Sequence, residues 1–303
     1  MSQEIHFYKY QGAGNDFILL DNRKDQYASL SFKQIARLCD RRFGIGADGL
    51  MMLGTHATYP FYMSYFNSDG LPGSMCGNGG RCICAFAHEL GLVENKIKFW
   101  ASDGEHEANL VSNLNGNHII RLKMRDVPNY YRSGSKIYII DSGSPHYISF
   151  VEDTEKIELI NVGRKIRFSK DFPQGINVNF VQISDSGLTV RTYERGVEDE
   201  TYSCGTGVTA SAMAYLLETN AKVGSHHINV YTKGGHLQVE LTLKKNKVEP
   251  LKNHSNLLKA SCSNLNLNSM PKTFLNYTNK RFEDVYLEGL ATFVFEGNII
   301  LYE

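Results

Sequence analysis

Two cysteines, each directly before a Gly-x-Gly triplet, are the residues in this sequence best suited to chemistry. Cys76 opens the segment Cys-Gly-Asn-Gly, and Cys204 opens the segment Cys-Gly-Thr-Gly. A small, apolar, helix-compatible segment follows each of them, over residues 82–90 and 209–217. One copy lies in each half of the 303-residue chain, so the repeat indicates a duplicated domain rather than a short-period array.

A cysteine at the start of a helix lies where unpaired backbone N–H groups and the helix dipole favour negative charge. Such a position lowers a thiol pKa from about 8.5 to roughly 3.5–7.5. The N–H groups of the same turn can hold an anion, and the glycines let the backbone approach a ligand closely. We therefore expect each motif to combine a poised thiol with a cradle for a carboxylate.

Two such motifs facing one ligand would place a sulfur on each side of its α-carbon. A thiolate could then remove the α-proton from one face while a thiol protonates the other, which racemises or epimerises an amino acid without a cofactor. General acid–base catalysis works best when the pKa of the group lies near the working pH. His146 and Glu194, both predicted on loops between strands, are the candidates for dividing the two roles between the thiols.

Each of these residues also has a structural interpretation. A single Cys-Gly-x-Gly is a weak signal, a lone histidine such as His146 is more often structural, and Glu194 with Arg195 could form a surface turn. The catalytic interpretation is favoured because both halves run strand, polar turn, Cys-Gly-x-Gly, helix. A non-catalytic amino-acid-binding protein is the alternative from another class.

The elements that must position these residues are mostly strands. Residues 5–20 predict two strands around a turn that presents Asn15, and the missing third glycine argues against a dinucleotide fingerprint. A helix is predicted over residues 31–39 with Ser31 as its N-cap. Alternation over residues 176–181 puts Asn177 and Asn179 on one face of a strand.

Composition excludes several classes of protein. Lys plus Arg number 32 and Asp plus Glu number 32, so the net charge argues against nucleic acid or a membrane surface as partner. No long apolar run predicts a membrane span, and no secretory signal is visible. Six cysteines are too few for a disulfide scaffold and lack zinc-ligand spacing, so we expect reduced thiols, a cytoplasmic location and no metal site.

Six ordered blocks link the sequence to a known family: Gly12-Ala13-Gly14-Asn15-Asp16-Phe17, Gly44-Ile45-Gly46-Ala47-Asp48-Gly49, Phe66-Asn67-Ser68-Asp69-Gly70, Cys76-Gly77-Asn78-Gly79, Tyr193-Glu194-Arg195-Gly196 and Cys204-Gly205-Thr206-Gly207. With them the sequence closely resembles the diaminopimelate epimerase family. The resemblance covers nearly the whole chain except residues 244–280, which are rich in Asn, Lys, Ser and Leu. We interpret that segment as an insertion, loop-like or partly helical.

The resemblance implies an α/β fold of the α+β type. Two pseudo-symmetric domains are expected, each a mixed or antiparallel sheet wrapped around a central helix, with the active site in the cleft between them. The first domain is predicted to comprise residues 1–126 and 288–303, and the second residues 127–287. A homodimer is one of the oligomeric states that the sequence leaves open.

The implied activity is the PLP-independent interconversion of LL- and meso-2,6-diaminopimelate, in lysine and peptidoglycan precursor biosynthesis, with no cofactor and with this small molecule as the partner. Cys204 would take the α-proton in the LL-to-meso direction and Cys76 would supply one, with His146 and Glu194 tuning the thiols. The resemblance implies that the remaining matched positions bind substrate. Those expected to grip the reacting carboxylate are Gly77, Asn78, Gly205 and Thr206, and those expected to bind the rest of the substrate are Asn15, Asn67, Ser144, Asn177, Glu194 and Arg195.

Two positions depart from some members of the family, and both concern substrate recognition. Ser144 stands where some carry asparagine, and Gly49 stands where some carry glutamine. The alternative within the same fold is a racemase of a histidine- or proline-type amino acid. The retained asparagines and Arg195 argue against it, because a substrate without a distal carboxylate would not need them.

Overall fold

A computed structural model describes residues 2–73, 75–246, 275–277 and 279–302. The chain forms two compact units, which we call unit 1 (Met1–Lys123 with Glu288–Glu303) and unit 2 (Met124–Leu287). Among the described residues, no helix combines the length and the apolar character needed to span a bilayer.

Unit 1 is a ring of strands around one helix. Its elements, in chain order, are β1 (Ser2–Gly12), β2 (Asn15–Asp21), α1 (Phe32–Cys39), β3 (Gly49–Gly54), β4 (Tyr62–Asn67), α2 (Gly77–Glu89), β5 (Lys96–Ala101), β6 (Gly104–Leu114), β7 (Asn117–Lys123) and the second part of β17 (Lys280–Tyr302). Successive pairings run β2–β3–β4–β5–β6–β7–β17–β1 and return from β1 to β2, so the sheet closes on itself. Helix α2 packs against β1, β2, β3, β6 and β7, which places it inside the ring.

Unit 2 repeats the succession of parallel and antiparallel strand pairs found in unit 1. Its elements are β8 (Tyr130–Ser133), β9 (Ile137–Asp141), β10 (Pro145–Phe150), α3 (Leu159–Arg167), β11 (Asn177–Ser184), β12 (Gly187–Glu194), β13 (Asp199–Thr201), α4 (Gly205–Glu218), β14 (Gly224–Thr232), β15 (Gly235–Lys245), β16 (Leu275–Tyr277) and the first part of β17. The pairs β10–β11 and β12–β14 are parallel and β11–β12 and β14–β15 antiparallel. In unit 1, β2–β3 and β4–β5 are parallel and β3–β4 and β5–β6 antiparallel, which is the same succession.

The central helices α2 and α4 are buried on almost every face. Each lies in the chain between two strands that pair in parallel: α2 between β4 and β5, and α4, preceded by the short β13, between β12 and β14. Their small residues, such as Ala85, Ala210 and Ala214, let the surrounding strands approach. Because a helix that is apolar all round belongs in a core, the cysteine-led helices of the sequence become the centres of the two units. The predicted mixed sheet with a central helix is confirmed.

Most of the predicted elements are confirmed, including α1. Ser31 caps that helix in a capping box with Gln34, and Ile35 and Leu38 are buried. Their side chains join a second core on the outer side of β1, β2 and β3.

Two short strands were not predicted from the sequence: β8 begins at Tyr130, and β13 lies in the acidic stretch before Cys204. The predicted loop-like segment 244–280 begins within β15 and ends with β16 and the start of β17. The rest of it, residues 247–274 and 278, lies outside the described residues.

Candidate active site

Cys76 and Cys204 occupy the same structural position. Each is the N-cap residue of the central helix of its unit, in extended conformation, with the helix beginning at the following glycine. Neither side chain makes a capping hydrogen bond to its own helix. The N–H groups of the first turn are therefore left to other acceptors, as an anion cradle requires.

The sulfur of Cys76 faces an amide oxygen. Cys76 Sγ lies 3.6 Å from Asn15 Oδ1, and Asn78 Nδ2 donates to the same oxygen at 3.5 Å. Asn15 Nδ2 donates to Asp48 Oδ2 at 2.6 Å. Because a carboxylate accepts hydrogen bonds only, Asp48 fixes the orientation of Asn15. The oxygen presented to Cys76 then accepts a hydrogen bond from the protonated thiol.

An ionic cluster holds the Asn15 turn. Arg41 bridges Asp16 and Asp48 with contacts of 2.7 Å to each, and Lys9 Nζ lies 2.7 Å from Asp16 Oδ2. Burial opposes ionisation of Asp16, but hydrogen bonds from Arg41 and Lys9 outweigh it and lower the Asp16 pKa to about 2. The cationic side chains of Arg41 and Lys9 thus stabilise the turn that carries Asn15.

Arg81 is a buried residue of this site that the sequence interpretation missed. Its side chain is wholly inaccessible, on the inner helix α2. Nη2 donates to Asn78 Oδ1 at 3.0 Å and Nη1 donates to Gly77 O at 3.3 Å. Burial lowers the pKa of Arg81, while the neighbouring thiols Cys82 and Cys76 act in the opposite direction. The available signal was a charged residue within an otherwise apolar helix.

Asn67 and Gly49 lie opposite each other on β4 and β3. Asn67 is exposed, and no described contact links its side chain to Cys76. A Cβ at Gly49 would stand 2.7 Å from both Phe66 O and the Tyr65 ring. The Tyr65 side chain therefore occupies the space into which a larger residue at position 49 would extend.

His146 and Glu194 do not lie on loops, contrary to the prediction. His146 is the second residue of β10, and Glu194 is the last residue of β12. Pro145 favoured the prediction of a loop at His146, but proline also occurs as the first residue of a strand. His146 is fully buried, and burial together with the charge of Arg195 lowers its pKa to about 3.

Unit 2 gathers polar side chains around the Cys204 motif. His146 Nε2 lies 2.9 Å from Thr206 Oγ1 and 3.0 Å from Ser144 Oγ, and these two hydroxyls are 3.0 Å apart. Thr206 Oγ1 lies 3.5 Å from Cys204 Sγ. His146 therefore reaches the sulfur through the Thr206 hydroxyl.

Asn177 connects this group to Arg195. Its Nδ2 donates to Ser144 Oγ and to Pro145 O, each at 3.2 Å, and its Oδ1 accepts the Arg195 backbone N–H at 2.9 Å. The Arg195 guanidinium rests 3.4 Å from the carbonyls of Gln174 and Gly175. The structure thus brings five of the unit 2 candidates into one network, namely Ser144, His146, Asn177, Arg195 and Thr206.

A group of possible metal ligands lies at the other end of α2 from Cys76. The ligand atoms of His88, Glu89 and His118 fall within 4.8 Å of one another. Glu89 Oε1 lies 2.9 Å from His118 Nε2 and accepts from Asn113 Nδ2 at 3.2 Å. A histidine–carboxylate contact accounts for this arrangement without an ion.

Solved structures share this fold over nearly the whole chain. A phenazine biosynthesis protein of the PhzF family from Bacillus anthracis superposes with a TM-score of 0.66 at 14% identity, covering 99% of this chain and 100% of that one. A probable proline racemase from Agrobacterium radiobacter K84 gives 0.65 at 12% identity, covering 98% and 93%. At these identities the likeness shows the fold alone.

The sequence comparisons identify the family. Residues 7–124 and 138–255 match the diaminopimelate epimerase family. A diaminopimelate epimerase of Flavobacterium psychrophilum is 40% identical over 297 residues, 97% of this chain and all of the relative, and one of Chlorobaculum tepidum is 37% identical over 300 residues, 96% and 99%. The chain belongs to the diaminopimelate epimerase family and is an isomerase. The predicted resemblance is confirmed.

Proposed function

We propose that this family member interconverts LL- and meso-2,6-diaminopimelate by two-base proton transfer, with Cys204 and Cys76 as the acid–base pair and without PLP. The observation that carries the proposal is the equivalent placement of the two cysteines, each the N-cap of the buried helix at the centre of its unit. Membership of the family supports the substrate.

In the LL-to-meso direction Cys204 Sγ accepts the α-proton, and Cys76 delivers a proton to the opposite face. Removing the α-proton moves negative charge onto the reacting carboxylate. The backbone N–H groups at the start of α2 and α4, at Gly77, Asn78, Gly205 and Thr206, are suited to stabilise that charge, because donors fixed before the reaction need no reorganisation.

Recognition of the distal end rests on Arg195 and the asparagines Asn15, Asn67 and Asn177. A guanidinium binds a carboxylate through two parallel hydrogen bonds. In unit 2, Asn177 already fixes the Arg195 backbone and Ser144, so it also shapes the site. Glu194, at the end of β12 beside Arg195, completes the substrate-binding set.

The biological setting follows from the substrate. We place the protein in the cytoplasm, in lysine and peptidoglycan precursor biosynthesis, acting on a small molecule without a nucleic-acid or membrane partner. A homodimer is compatible with this proposal, and size-exclusion chromatography with light scattering would measure it.

The test is incubation with LL-diaminopimelate in D2O without added PLP, followed by NMR. We expect deuterium at one α-carbon and formation of the meso product, with both lost in Cys76→Ala and Cys204→Ala. Cys39→Ala, which removes a buried thiol from the end of α1, is the matched control. Undiminished turnover by either active-site variant would refute the two-base mechanism, whereas exchange with histidine or proline but not diaminopimelate would favour the alternative racemase.

A further inference from the structure

We propose that Asn179 is a positioning residue that holds His146 as the neutral Nε2–H tautomer, so that His146 and Thr206 direct a hydrogen bond to the Cys204 sulfur and stabilise its thiolate. The inference deepens the proposed function and rests on the assignment of Cys204 as a base. It concerns Asn179 on β11, a residue that the catalytic interpretation of the sequence did not include.

The orientation of the Asn179 amide is determined by its neighbours. Asn179 is fully buried, and its Nδ2 lies 3.2 Å from the backbone carbonyl of Tyr147. A carbonyl only accepts hydrogen bonds, so the amide nitrogen must face it. On the other side, Thr192 Oγ1 donates to Asn179 Oδ1 at 2.9 Å. Both contacts are satisfied in one orientation of the amide and not in the flipped one.

This orientation decides the tautomer of His146. The second hydrogen of Asn179 Nδ2 points at His146 Nδ1, 2.9 Å away. Nδ1 must therefore accept a hydrogen bond, because an N–H there would oppose the amide N–H. In a neutral imidazole the proton then lies on Nε2. The low pKa of His146, caused by burial and by the charge of Arg195, keeps the ring neutral.

The proton on Nε2 sets the direction of the remaining hydrogen bonds. Nε2–H faces the hydroxyls of Thr206 and Ser144, at 2.9 and 3.0 Å, and Ser144 can donate to Thr206 Oγ1 at 3.0 Å. Asn177 Nδ2 in turn donates to Ser144 Oγ at 3.2 Å. Thr206 Oγ1 thus receives hydrogens from its neighbours, and its own hydrogen is directed to Cys204 Sγ at 3.5 Å.

Packing holds Thr206 in the conformation that this relay needs. Ser142 Oγ donates to the Thr206 carbonyl at 2.8 Å, and a Cβ at Gly143 would stand 3.2 Å from the Thr206 methyl group. The methyl group therefore lies against Gly143, and the hydroxyl faces His146 and Cys204. A hydrogen bond to the charged form of a group lowers its pKa, so the relay favours the thiolate.

The Cys76 motif places a hydrogen-bond acceptor beside its sulfur, whereas the Cys204 motif places a donor there. Asn78 stands where Thr206 stands in the second motif, and the atom that faces Cys76 Sγ is the acceptor Asn15 Oδ1. An acceptor stabilises the thiol and not the thiolate. The two near-identical motifs are thus polarised for the two different roles, base at Cys204 and acid at Cys76.

The first test reads the tautomer directly. Long-range 15N NMR of histidine-labelled protein, with His146 assigned by loss of its signals in His146→Gln, should show a protonated Nε2 and an unprotonated Nδ1 at neutral pH. In Asn179→Ala we expect a mixture of the two neutral tautomers. A wild-type ring protonated on Nδ1, or on both nitrogens, would overturn the proposal.

The second test reads the thiolate without using turnover. Alkylation by iodoacetamide is followed peptide by peptide with mass spectrometry across a pH series. In Thr206→Val the midpoint of the Cys204 profile should rise by about one pH unit, which makes alkylation about tenfold slower at pH values below both midpoints. Thr206→Ser should retain the wild-type rate. Thr209→Val is the control, because its hydroxyl donates to Gly205 O on the same helix and takes no part in the relay. The alkylation rate of Cys76, measured in each sample, shows whether a substitution has non-specific effects.

Equal rates of Cys204 alkylation in the folded wild-type, Thr206→Val and Asn179→Ala proteins would refute the proposed relay. The outcome is independent of the substrate. If LL-diaminopimelate fails to exchange in D2O while these alkylation and NMR results hold, the proposed function falls and the relay stands. If Asn179→Ala does not fold, the wild-type tautomer and the Thr206 pair still decide the matter.

Discussion

Gly207 lies directly against Asn179. A Cβ built at Gly207 would stand 2.4 Å from Asn179 Oδ1 and 3.1 Å from His146 Cε1. Gly207 is the second glycine of the Cys204 motif. Because it has no side chain, β10 and β11 can approach the start of α4 this closely. In the first motif the equivalent Gly79 meets Met51 Sδ at 3.2 Å, a softer contact with a flexible side chain.

Replacing Gly207 by alanine should be much more harmful than replacing Gly79. Alanine normally stabilises a helix interior by roughly 0.5–1 kcal/mol relative to glycine. At Gly207 we expect a net loss of about 1–3 kcal/mol from overpacking, with at least about tenfold lower turnover because Asn179 and His146 are displaced. Urea unfolding and the D2O exchange assay measure the two effects. Equal behaviour of the two variants would contradict the packing described here.

Oxidation should inactivate the protein reversibly if the two thiols approach one α-carbon. We expect mild oxidants to abolish exchange, a reductant to restore it, and peptide mapping to find a disulfide between Cys76 and Cys204. Cys82 and Cys84 are buried thiols of α2 that should stay reduced and serve as internal controls. Unchanged activity under oxidising conditions would count against the closeness that the mechanism requires.

Arg81→Lys should weaken the Cys76 motif. Lysine cannot reproduce the two contacts that the buried guanidinium makes with Asn78 and Gly77. We expect a loss of roughly 1–3 kcal/mol in unfolding free energy, because buried polar partners are left unsatisfied, and reduced turnover. Arg23→Lys is the control, since Arg23 makes a partly exposed ion pair with Asp21. Matching losses in both variants would show that Arg81 has no special role.

Acid should destabilise the protein partly through Asp16. Its folded pKa of about 2 lies below its ordinary value of 3.8, so its stabilising effect is present above pH ~4 and is lost as the pH falls toward 2. The contribution is about 2 kcal/mol. Urea unfolding across this range should show a shallower pH dependence in Asp16→Asn than in wild type. Asp185→Asn, which changes an exposed side chain, is the control, and parallel curves for wild type and Asp16→Asn would exclude the effect.

Local sequence signals predicted most of the elements and the positions of both cysteines. Ser31 with Gln34, the alternation around Asn177 and Asn179, and the glycines after Cys76 and Cys204 each act within a few residues. Such signals are sufficient for caps, turns and strand faces. The periodicity even placed Asn179 on the same face as Asn177, although not against His146.

What the sequence could not predict depends on distant partners. Strand β8 exists because Tyr131 pairs with Ile139 and Asn276, and β13 because it pairs with the end of β12. The burial of Arg81 and the contact between Gly207 and Asn179 depend on the elements packed around each helix. The residues of the helix alone do not specify those neighbours. Strand propensity is likewise decided by context more than by composition.

Strand β17 has a consequence for how the chain acquires its structure. Its last residues pair with β1, so that Tyr302 lies opposite Ser2, and with β7 through Leu290 and Ile119. The ring of unit 1 therefore closes only after residues 124–287 have been synthesised, although nearly all of its other strands precede them. Pairing between β1 and β17 is slow because the contact is so distant in sequence. Residues 2–123 should thus become protected from proteases and hydrogen exchange later than unit 2.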